Sequence, residues 1–271
     1  MPENPGDLLS ELVDELDCPY GVERSVKFRR FRLFSDRLLL TIHKAAFGTE
    51  PVCNLRNMLA KTGFPEYGYE GLLVHLDAAD IIHFGYEGHD RGYIYKCYLE
   101  FAERYSKSWG NEVPDKLLVY TAFKWDPAPN GMIRTSYYHS YPATTVKEVE
   151  KFLLDVYGSD SQSAACAVTR ELLSTDAMTK LDGDLMVLAV TEEDNKRSSF
   201  DLNLYDTGMK LSFIENQLDQ VAEYFNIEHT VWQKYFNEVR DNSLGHLAGG
   251  MDSTGNEFYT VYFGVEERIP V

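Results

Sequence analysis

Lysine, arginine and tyrosine recur on one face of several predicted strands, opposite an apolar face. The pattern is clearest at residues 94–101, where Lys96 and Tyr98 alternate with Cys97 and Leu99. Successive side chains of a strand point to opposite faces of the sheet. Because an ordinary amphipathic strand would carry Ser, Thr, Lys and Glu on its polar face, repeated tyrosines beside single cations predict an enclosed polar lumen with aromatic walls. Such a lumen can hold an anion at one end and an electron-poor organic group at the other.

Candidates for this chemistry lie on different predicted strands. They are the cations Arg30, Lys96, Lys124 and Arg134 and the tyrosines Tyr98, Tyr138, Tyr205 and Tyr262. Arginine offers a bidentate fork and lysine a point charge, so a ring of both suits a multiply charged anion. Tyrosine faces attract a cation by roughly 0.5–2 kcal/mol per contact. Two carboxylates near the first predicted strand, Asp17 and Glu23, can accept a proton.

Predicted strand pairs must position these side chains. Alternating apolar residues and turn signals place hairpins or strand pairs at 20–34, at 71–79 with 93–101, at 117–125 with 132–141, at 185–191 with 200–205, and at 244–251 with 257–265. The second pair is predicted to be joined by a polar loop that contains His83. These segments give about ten predicted strands in five pairs.

Predicted helices alternate with these strand pairs. Helical spacing and caps place them at about 8–16, 35–47, 51–63, 144–157, 161–173, 209–225 and 228–240. Ser35-Asp36 is expected to cap the second, and Pro51 suits the first turn of the third. Strand pairs that alternate with helix pairs form an internal repeat. The sequence therefore predicts an α+β fold, a ten-stranded antiparallel barrel with helices outside, as one domain over residues 1–271.

Composition excludes several classes of protein. The chain of 271 residues carries a net charge of −17, so a basic footprint for nucleic acid is absent. The 4 cysteines are far apart and form no CxxC pair, so a zinc knuckle or a dithiol redox site is not expected. No apolar run approaches the roughly 20 residues that span a bilayer. Without a secretion signal at the acidic N-terminus, we expect a cytoplasmic protein that has no membrane partner.

Several short stretches, in this order and spacing, resemble one enzyme family. They are Phe31-Arg32-Leu33-Phe34 after Arg30, Tyr95-Lys96-Cys97-Tyr98-Leu99, Ile133-Arg134-Thr135-Ser136-Tyr137-Tyr138, Ser199-Phe200-Asp201-Leu202-Asn203-Leu204-Tyr205, and Tyr259-Thr260-Val261-Tyr262-Phe263. Together they resemble the ABBA prenyltransferases, whose PT barrel is built from α-α-β-β units. Within that family the chain looks most similar to the small bacterial enzymes that prenylate cyanobactin-type peptides during the biosynthesis of peptide natural products.

The resemblance implies transfer of a dimethylallyl or longer isoprenyl group from its diphosphate to a side-chain nucleophile of a peptide. It implies that the four candidate cations bind the diphosphate and that the four tyrosines shield the allyl cation. The family's general base is an acid on the first strand, and here Asp17 and Glu23 both compete for that place. Mg²⁺ can accompany the diphosphate through the phosphate oxygens, with no metal site of the protein itself.

The acceptor and the activity itself stay open at this point. Tyr, Trp, His and Arg side chains of a linear or cyclic peptide are all candidate acceptors. One alternative is a barrel without enzymatic activity that binds an apolar small molecule or a peptide. Another is an inactive family member that serves as a peptide-binding scaffold. Cations opposite apolar strand faces argue against a dry apolar lumen.

Overall fold

The structure is a computed structural model that describes residues 4–89, 92–103, 116–128, 131–159, 161–193 and 195–270, without the side chains of 141–144. Its strands are β1 (Tyr20–Arg29), β2 (Arg32–Phe34), β3 (Arg37–His43), β4 (Ile81–His89), β5 (Gly92–Glu100), β6 (Leu117–Trp125), β7 (Ile133–Thr144), β8 (Leu185–Glu192), β9 (Ser198–Asn203), β10 (Leu244–Met251) and β11 (Glu257–Arg268).

One antiparallel sheet closes on itself. Each strand from β3 to β11 pairs with the next along the chain, and β11 returns to pair with β1 over Tyr20 to Phe28. On its other side β1 pairs with β3 through Gly21 to Arg24 and with the short β2 through Lys27 to Arg29. Because β2 and β3 occupy successive parts of one position beside β1, the barrel has ten strand positions. This confirms the predicted ten-stranded antiparallel barrel.

Helices cover the outside of this barrel. They are α1 (Pro5–Asp14), α2 (Pro51–Lys61), α3 (Tyr69–Leu76), α4 (Val146–Tyr157), α5 (Ala164–Leu173), α6 (Asp176–Thr179), α7 (Glu215–Tyr224) and α8 (His229–Val239), with single 3₁₀ turns at Lys44–Phe47, Glu66–Gly68, Tyr205–Thr207 and Leu211–Ile214. In the part of the chain that the structure describes, no helix is long and apolar enough to cross a membrane.

Most apolar side chains of the strands point outward and pack against the helices. Val26 and Phe28 of β1 belong to one buried cluster with Trp232 of α8, and the rings of Phe28 and Trp232 lie 5.1 Å apart. A second cluster joins α1, α2 and α3 to β3, β4 and β5, and it includes the buried Cys97. With the apolar residues facing the helices, the alternate residues of each strand face the lumen.

Two predicted elements were wrong. Residues 35–47 were expected to form a helix behind Ser35-Asp36, but Arg37–His43 is strand β3. Leu40 and Ile42 face the helices while Leu39 and Thr41 line the lumen, which is the two-residue period of a strand. Cross-strand pairing to both neighbours outweighs the capping signal.

The predicted strand 71–79 is instead helix α3. Its buried residues Tyr69, Leu72 and Leu76 follow helical spacing, and the strand begins only at Ile81. The shift moves His83 from a predicted loop into β4. It also leaves His75 outside the lumen, where its ring lies 6.3 Å from that of Phe101.

Candidate active site

Two neighbouring cavities, which share four lining residues, lie in the lumen. The cationic chamber, of about 440 Å³, lies at one end and is lined by Lys27, Arg29, Arg37, Glu87, Lys96, Lys124, Arg134, Glu192 and Arg197, among others. The acidic chamber, of about 120 Å³, is lined by Glu23, Leu39, Thr41, His83, Tyr120, Met186, Leu188, Asn203, Tyr205 and His246. Four residues line both: Tyr98, Tyr138, Asp201 and Tyr262. The lumen thus has a positive end and an acidic end with phenol rings between them.

Strand register brings the predicted cations together. Lys96 on β5 pairs with Lys124 on β6, and Lys124 pairs with Arg134 on β7. Directly paired residues on one face of a sheet lie about 5 Å apart at Cβ. Lys96 and Lys124 are buried, whereas Arg134 is exposed at the rim. These three predicted residues therefore form one row across three strands of the cationic chamber.

Two buried carboxylates are the counter-ions of this chamber. Glu87 lies 2.7 Å from Nη1 of Arg37 and 3.3 Å from Nζ of Lys27, and it also accepts a hydrogen bond from Lys96. Glu192 lies 2.6 Å from Nη1 of Arg197 and 3.4 Å from Nζ of Lys124. Glu87 pairs with cations of three strands, and Glu192 pairs with Lys124 of β6 and with Arg197, which precedes β9, so the ion pairs fix the positions of the donors.

Burial of the lysines favours their neutral form over the charged form. Desolvation lowers the pKa of Lys27 to about 7 and that of Lys96 to about 8, although the charge of Glu87 opposes this change. Desolvation and Arg197 likewise hold the pKa of Lys124 well below its usual value. Burial would raise the pKa of Glu192, but Lys124 and Arg197 lower it to about 2. An anion that enters this chamber meets cations that lack full hydration, and such cations bind anions more strongly than solvated ones.

Tyrosine rings separate the two chambers. The rings of Tyr98 and Tyr138 lie 5.8 Å apart, edge to face, and Tyr120 lies 5.8 Å from Tyr138 in the same orientation. The ring of Tyr262 stacks on the imidazole of His246 with 3.7 Å between centroids. These faces form an electron-rich wall between the cations and the carboxylates.

The acidic chamber contains a carboxylate that is held by two donors. The hydroxyl of Tyr205 donates to Oε1 of Glu23 at 2.6 Å, and Nε2 of His246 lies 3.4 Å from Oε2 of the same group. The other ring nitrogen of His246, Nδ1, lies 2.6 Å from Oδ1 of Asp201. Burial would lower the pKa of His246, but Asp201 and Glu23 raise it to about 10. At neutral pH the imidazole is therefore a cation between two carboxylates.

Gly245 makes room for this cluster. A Cβ atom at Gly245 would lie 2.4 Å from Oε1 of Glu23 and 2.8 Å from Cε1 of Tyr205. Such distances are far shorter than a van der Waals contact, so any side chain here would displace the pair. A glycine at this position of β10 is thus a requirement of the acidic chamber.

A second polar pair lines the other side of the acidic chamber. The Nδ1 atom of His83 lies 2.9 Å from Oγ1 of Thr41, and Nε2 lies 2.7 Å from Oε2 of Glu100. Tyr120 contacts Glu100 as well, and burial together with Glu100 holds the pKa of Tyr120 well above its usual value. This pair keeps His83 in a fixed orientation beside Tyr98 and Tyr120.

Several predicted site residues lie as expected. Lys96, Lys124 and Arg134 line the cationic chamber, Tyr98, Tyr138 and Tyr262 form the wall between the chambers, and Glu23 lies in the acidic chamber. Tyr205 also lines the acidic chamber, but it lies in the 3₁₀ turn Tyr205–Thr207 after β9 and binds Glu23 through its hydroxyl. Its ring is 41% exposed, so it is an edge of the chamber rather than part of the enclosed wall.

Two predicted residues lie outside the lumen. Arg30 follows the end of β1 in an exposed turn, where its guanidinium lies 5.2 Å from the ring centroid of Phe31. The hairpin turns at this point, with Phe31 at φ 63°, so Arg30 does not continue the strand face. Asp17 also lies in an exposed turn, at φ 48°, before β1 begins. Of the two acids that competed for the base, only Glu23 is in the barrel.

Sequence reasoning missed other lumen residues. Arg37 lay in a predicted helix, and Glu192 and Arg197 flank the β8–β9 turn. Lys27 could have been found, because it shares a strand face with Glu23 at a spacing of four residues. His246 carried no signal in the sequence, since its role depends on the two acids that β1 and β9 bring to it.

No protein-family model matches the sequence, and no curated protein matches it. Solved structures do match. The 5-dimethylallyltryptophan synthase from Streptomyces coelicolor superposes with a TM-score of 0.57 at 12% identity, over 89% of this chain and 80% of that one. The 6-dimethylallyltryptophan synthase from Micromonospora olivasterospora, in complex with DMASPP and Trp, superposes with a TM-score of 0.58 at 13% identity. The superposition covers 90% of this chain and 81% of that one. PriB, in a binary complex with product diphosphate, superposes with a TM-score of 0.59 at 13% identity, over 90% of this chain and 79% of that one. The likeness identifies the fold as the ABBA barrel.

Proposed function

We propose that this protein is a prenyltransferase that moves a dimethylallyl or longer isoprenyl group from its diphosphate to a nucleophilic side chain of a peptide. The single observation that carries the proposal is the order of groups along the lumen. Cations lie at one end, tyrosine rings in the middle, and a buried carboxylate at the other end. Transfer of an allyl group needs these three environments in this order.

The cationic chamber would bind the diphosphate of the donor. As the C–O bond breaks, its electron pair leaves with the diphosphate oxygen, and the new negative charge needs donors already in place. Lys96, Lys124 and Arg134 lie in one row, and Lys27 on β1 and Arg37 on β3 line the same chamber. The solved neighbours with DMASPP or product diphosphate support this assignment by likeness of fold.

The tyrosine wall would stabilise the allyl cation. Tyr98, Tyr138 and Tyr262 line both chambers, so a prenyl chain that leads away from the diphosphate must pass them. Their faces attract a cation by roughly 0.5–2 kcal/mol per contact and also exclude water. Water is the competing nucleophile, and its exclusion favours transfer over hydrolysis.

Glu23 would take the proton that the acceptor loses. A new C–N, C–C or C–O bond forms from the nucleophile's electron pair, and the proton of the nucleophile goes to the carboxylate. Tyr205 and His246 orient that carboxylate. Asp17, outside the barrel, cannot reach a substrate in the lumen.

The acceptor is proposed to be a peptide, with Tyr, Trp, His or Arg as the candidate side chain. This finer assignment rests on the sequence resemblance to enzymes that prenylate cyanobactin-type peptides, whereas one solved neighbour holds free Trp. Incubation with dimethylallyl diphosphate and a panel of peptides that differ in this one residue tests it by mass spectrometry. A gain of one isoprene unit on any peptide supports the proposal. No gain on any peptide or on free Trp would refute transfer activity.

Mg²⁺ is proposed to act only through the diphosphate. Among the residues that the structure describes, no three His, Cys, Asp or Glu side chains gather into a metal site. Glu87 and Glu192 are already paired with cations. When bound to the phosphate oxygens, the ion would neutralise part of their charge.

A further inference from the structure

A buried carboxylate lies where the proposed function needs only positive charge. Glu87, on β4, faces the cationic chamber and is nearly inaccessible to solvent. It contacts three cations from three strands: Lys27 on β1, Arg37 on β3 and Lys96 on β5. No other acid in the described part of the chain is paired with as many cations.

This carboxylate competes with any anion that enters the chamber. The hydrogens that Lys96 and Lys27 direct at Glu87 are hydrogens that a phosphate oxygen would otherwise accept. Nη1 of Arg37 lies 2.7 Å from Oε1 of Glu87, yet among the residues that the structure describes it is not aligned for a hydrogen bond with any group. A carboxylate and a phosphate in the same low-dielectric space also repel each other.

The same carboxylate keeps the free chamber intact. Cations that are buried without a counter-ion are costly, and lysines in that situation lose their protons. Because the charge of Glu87 opposes the fall in the pKa of both Lys27 and Lys96, it favours their charged forms when no anion is bound. The cations in turn hold the pKa of Glu87 well below its usual value, against the effect of burial.

We propose that Glu87 is an internal stand-in for the diphosphate. It holds Lys27, Arg37 and Lys96 in place in the free protein. When the donor binds, these cations donate their hydrogen bonds to the diphosphate instead of to Glu87. When the product diphosphate leaves, the hydrogen bonds to Glu87 form again. This inference rests on the proposed function of the chamber. It assigns to Glu87 a positioning role that weakens diphosphate binding and so favours release of the product.

Replacement of the charge by a neutral isostere tests the proposal. Inorganic diphosphate is titrated calorimetrically into the wild type, Glu87→Gln, Glu87→Asp and Lys96→Met, each first shown by its circular dichroism spectrum to be folded. At about pH 6 we expect Glu87→Gln to bind diphosphate at least about tenfold more tightly than the wild type, because the repulsion is gone. Glu87→Asp keeps the charge and should show no such gain.

The pH dependence separates this role from a simple change of shape. The titratable and charged groups that face Glu87 are Lys27, Arg37 and Lys96, with Tyr262 nearby. Without Glu87 both lysines lose their protons more readily, so the gain in Glu87→Gln should shrink at about pH 8. A merely structural defect would weaken binding at both pH values.

The outcomes distinguish this inference from the proposed function. Equal or weaker binding by folded Glu87→Gln at about pH 6, or an equal gain in Glu87→Asp, would overturn the role of Glu87 and leave the donor site standing. Failure of the wild type to bind diphosphate, or undiminished binding by Lys96→Met, would instead remove the donor site itself.

Discussion

His246 contributes a positive charge to the acidic chamber, and three neighbouring residues surround its ring. Its imidazolium lies between Asp201 and Glu23, and the ring of Tyr262 covers one face. If His246 were neutral, two buried carboxylates would face each other without a counter-ion, which is a costly arrangement. We therefore regard His246 as the residue that positions Glu23 and keeps this end of the lumen folded.

The stability contributed by His246 should depend on pH in one direction. Its pKa is raised from about 6.5 in the unfolded chain to about 10 in the fold. The contribution is therefore complete below about pH 6.5 and is lost as pH rises through about 10. In thermal melts, His246→Asn should lie furthest below the wild type near pH 6 and approach it near pH 10. A deficit that is constant over this range would contradict the charge assignment.

Lys96 and Arg30 form a matched pair of cations, both expected from the sequence to bind the diphosphate. Only Lys96 lies in the chamber, and Arg30 lies in the exposed turn after β1. We expect Lys96→Met to weaken the binding of inorganic diphosphate by about tenfold or more, as for the loss of a buried charge-assisted hydrogen bond. Arg30→Met should bind as the wild type does. Equal losses in both variants would show that the chamber is not the anion site.

Among the elements, β10 limits the space around Glu23, the proposed base. Gly245→Ala would place a Cβ atom on Glu23 and Tyr205, so we expect turnover to fall at least about tenfold while diphosphate binding is unchanged. Gly71→Ala in α3 is the control. The nearest atom there is 3.8 Å away, and alanine favours a helix over glycine by about 1 kcal/mol, so its melting temperature should rise. Undiminished turnover by Gly245→Ala would show that a methyl group at position 245 does not displace Glu23.

Helix α4 begins with a capping box, in which Thr145 and Glu148 satisfy each other's backbone groups. Because α4 packs on β8, β9 and β10 far from the lumen side chains, Thr145→Ala should affect stability alone. We expect a loss of about 1 kcal/mol in the free energy of unfolding, measured by urea denaturation, with unchanged diphosphate affinity. A change in affinity would mean that the helical layer controls the lumen.

The accuracy of the sequence predictions differed between elements for physical reasons. Strands β5, β6 and β7 were predicted close to their observed bounds, and their register aligns Lys96, Lys124 and Arg134. The segment at 35–47 carries a convincing helix cap, but pairing with both neighbouring strands decides its structure. Local signals therefore located three cations, whereas Arg37 and Glu87 become neighbours through the pairing of β3 with β4, which the helix predicted at 35–47 does not contain.

At the scale of the whole molecule, an acidic exterior surrounds a basic cavity. The net charge is −17, yet the cationic chamber is lined by seven Lys and Arg side chains: Lys27, Arg29, Arg37, Lys96, Lys124, Arg134 and Arg197. The exterior should attract positively charged acceptors. Peptides with one acceptor side chain flanked by lysines should therefore show a higher kcat/KM than peptides flanked by glutamates. The difference should shrink at about 0.5 M salt, where the Debye length falls to a few ångströms. A salt-independent difference would indicate specific contacts instead.

The pairing of β1 with β11 has a consequence for how the protein is made. Because β1 is the first strand of the barrel and β11 the last, the barrel can close only after β11 has been synthesised. A nascent chain that stalls before the last hairpin would expose two open sheet edges, which invite association with other chains. Until the barrel closes, the chain is therefore prone to associate with other chains through these edges.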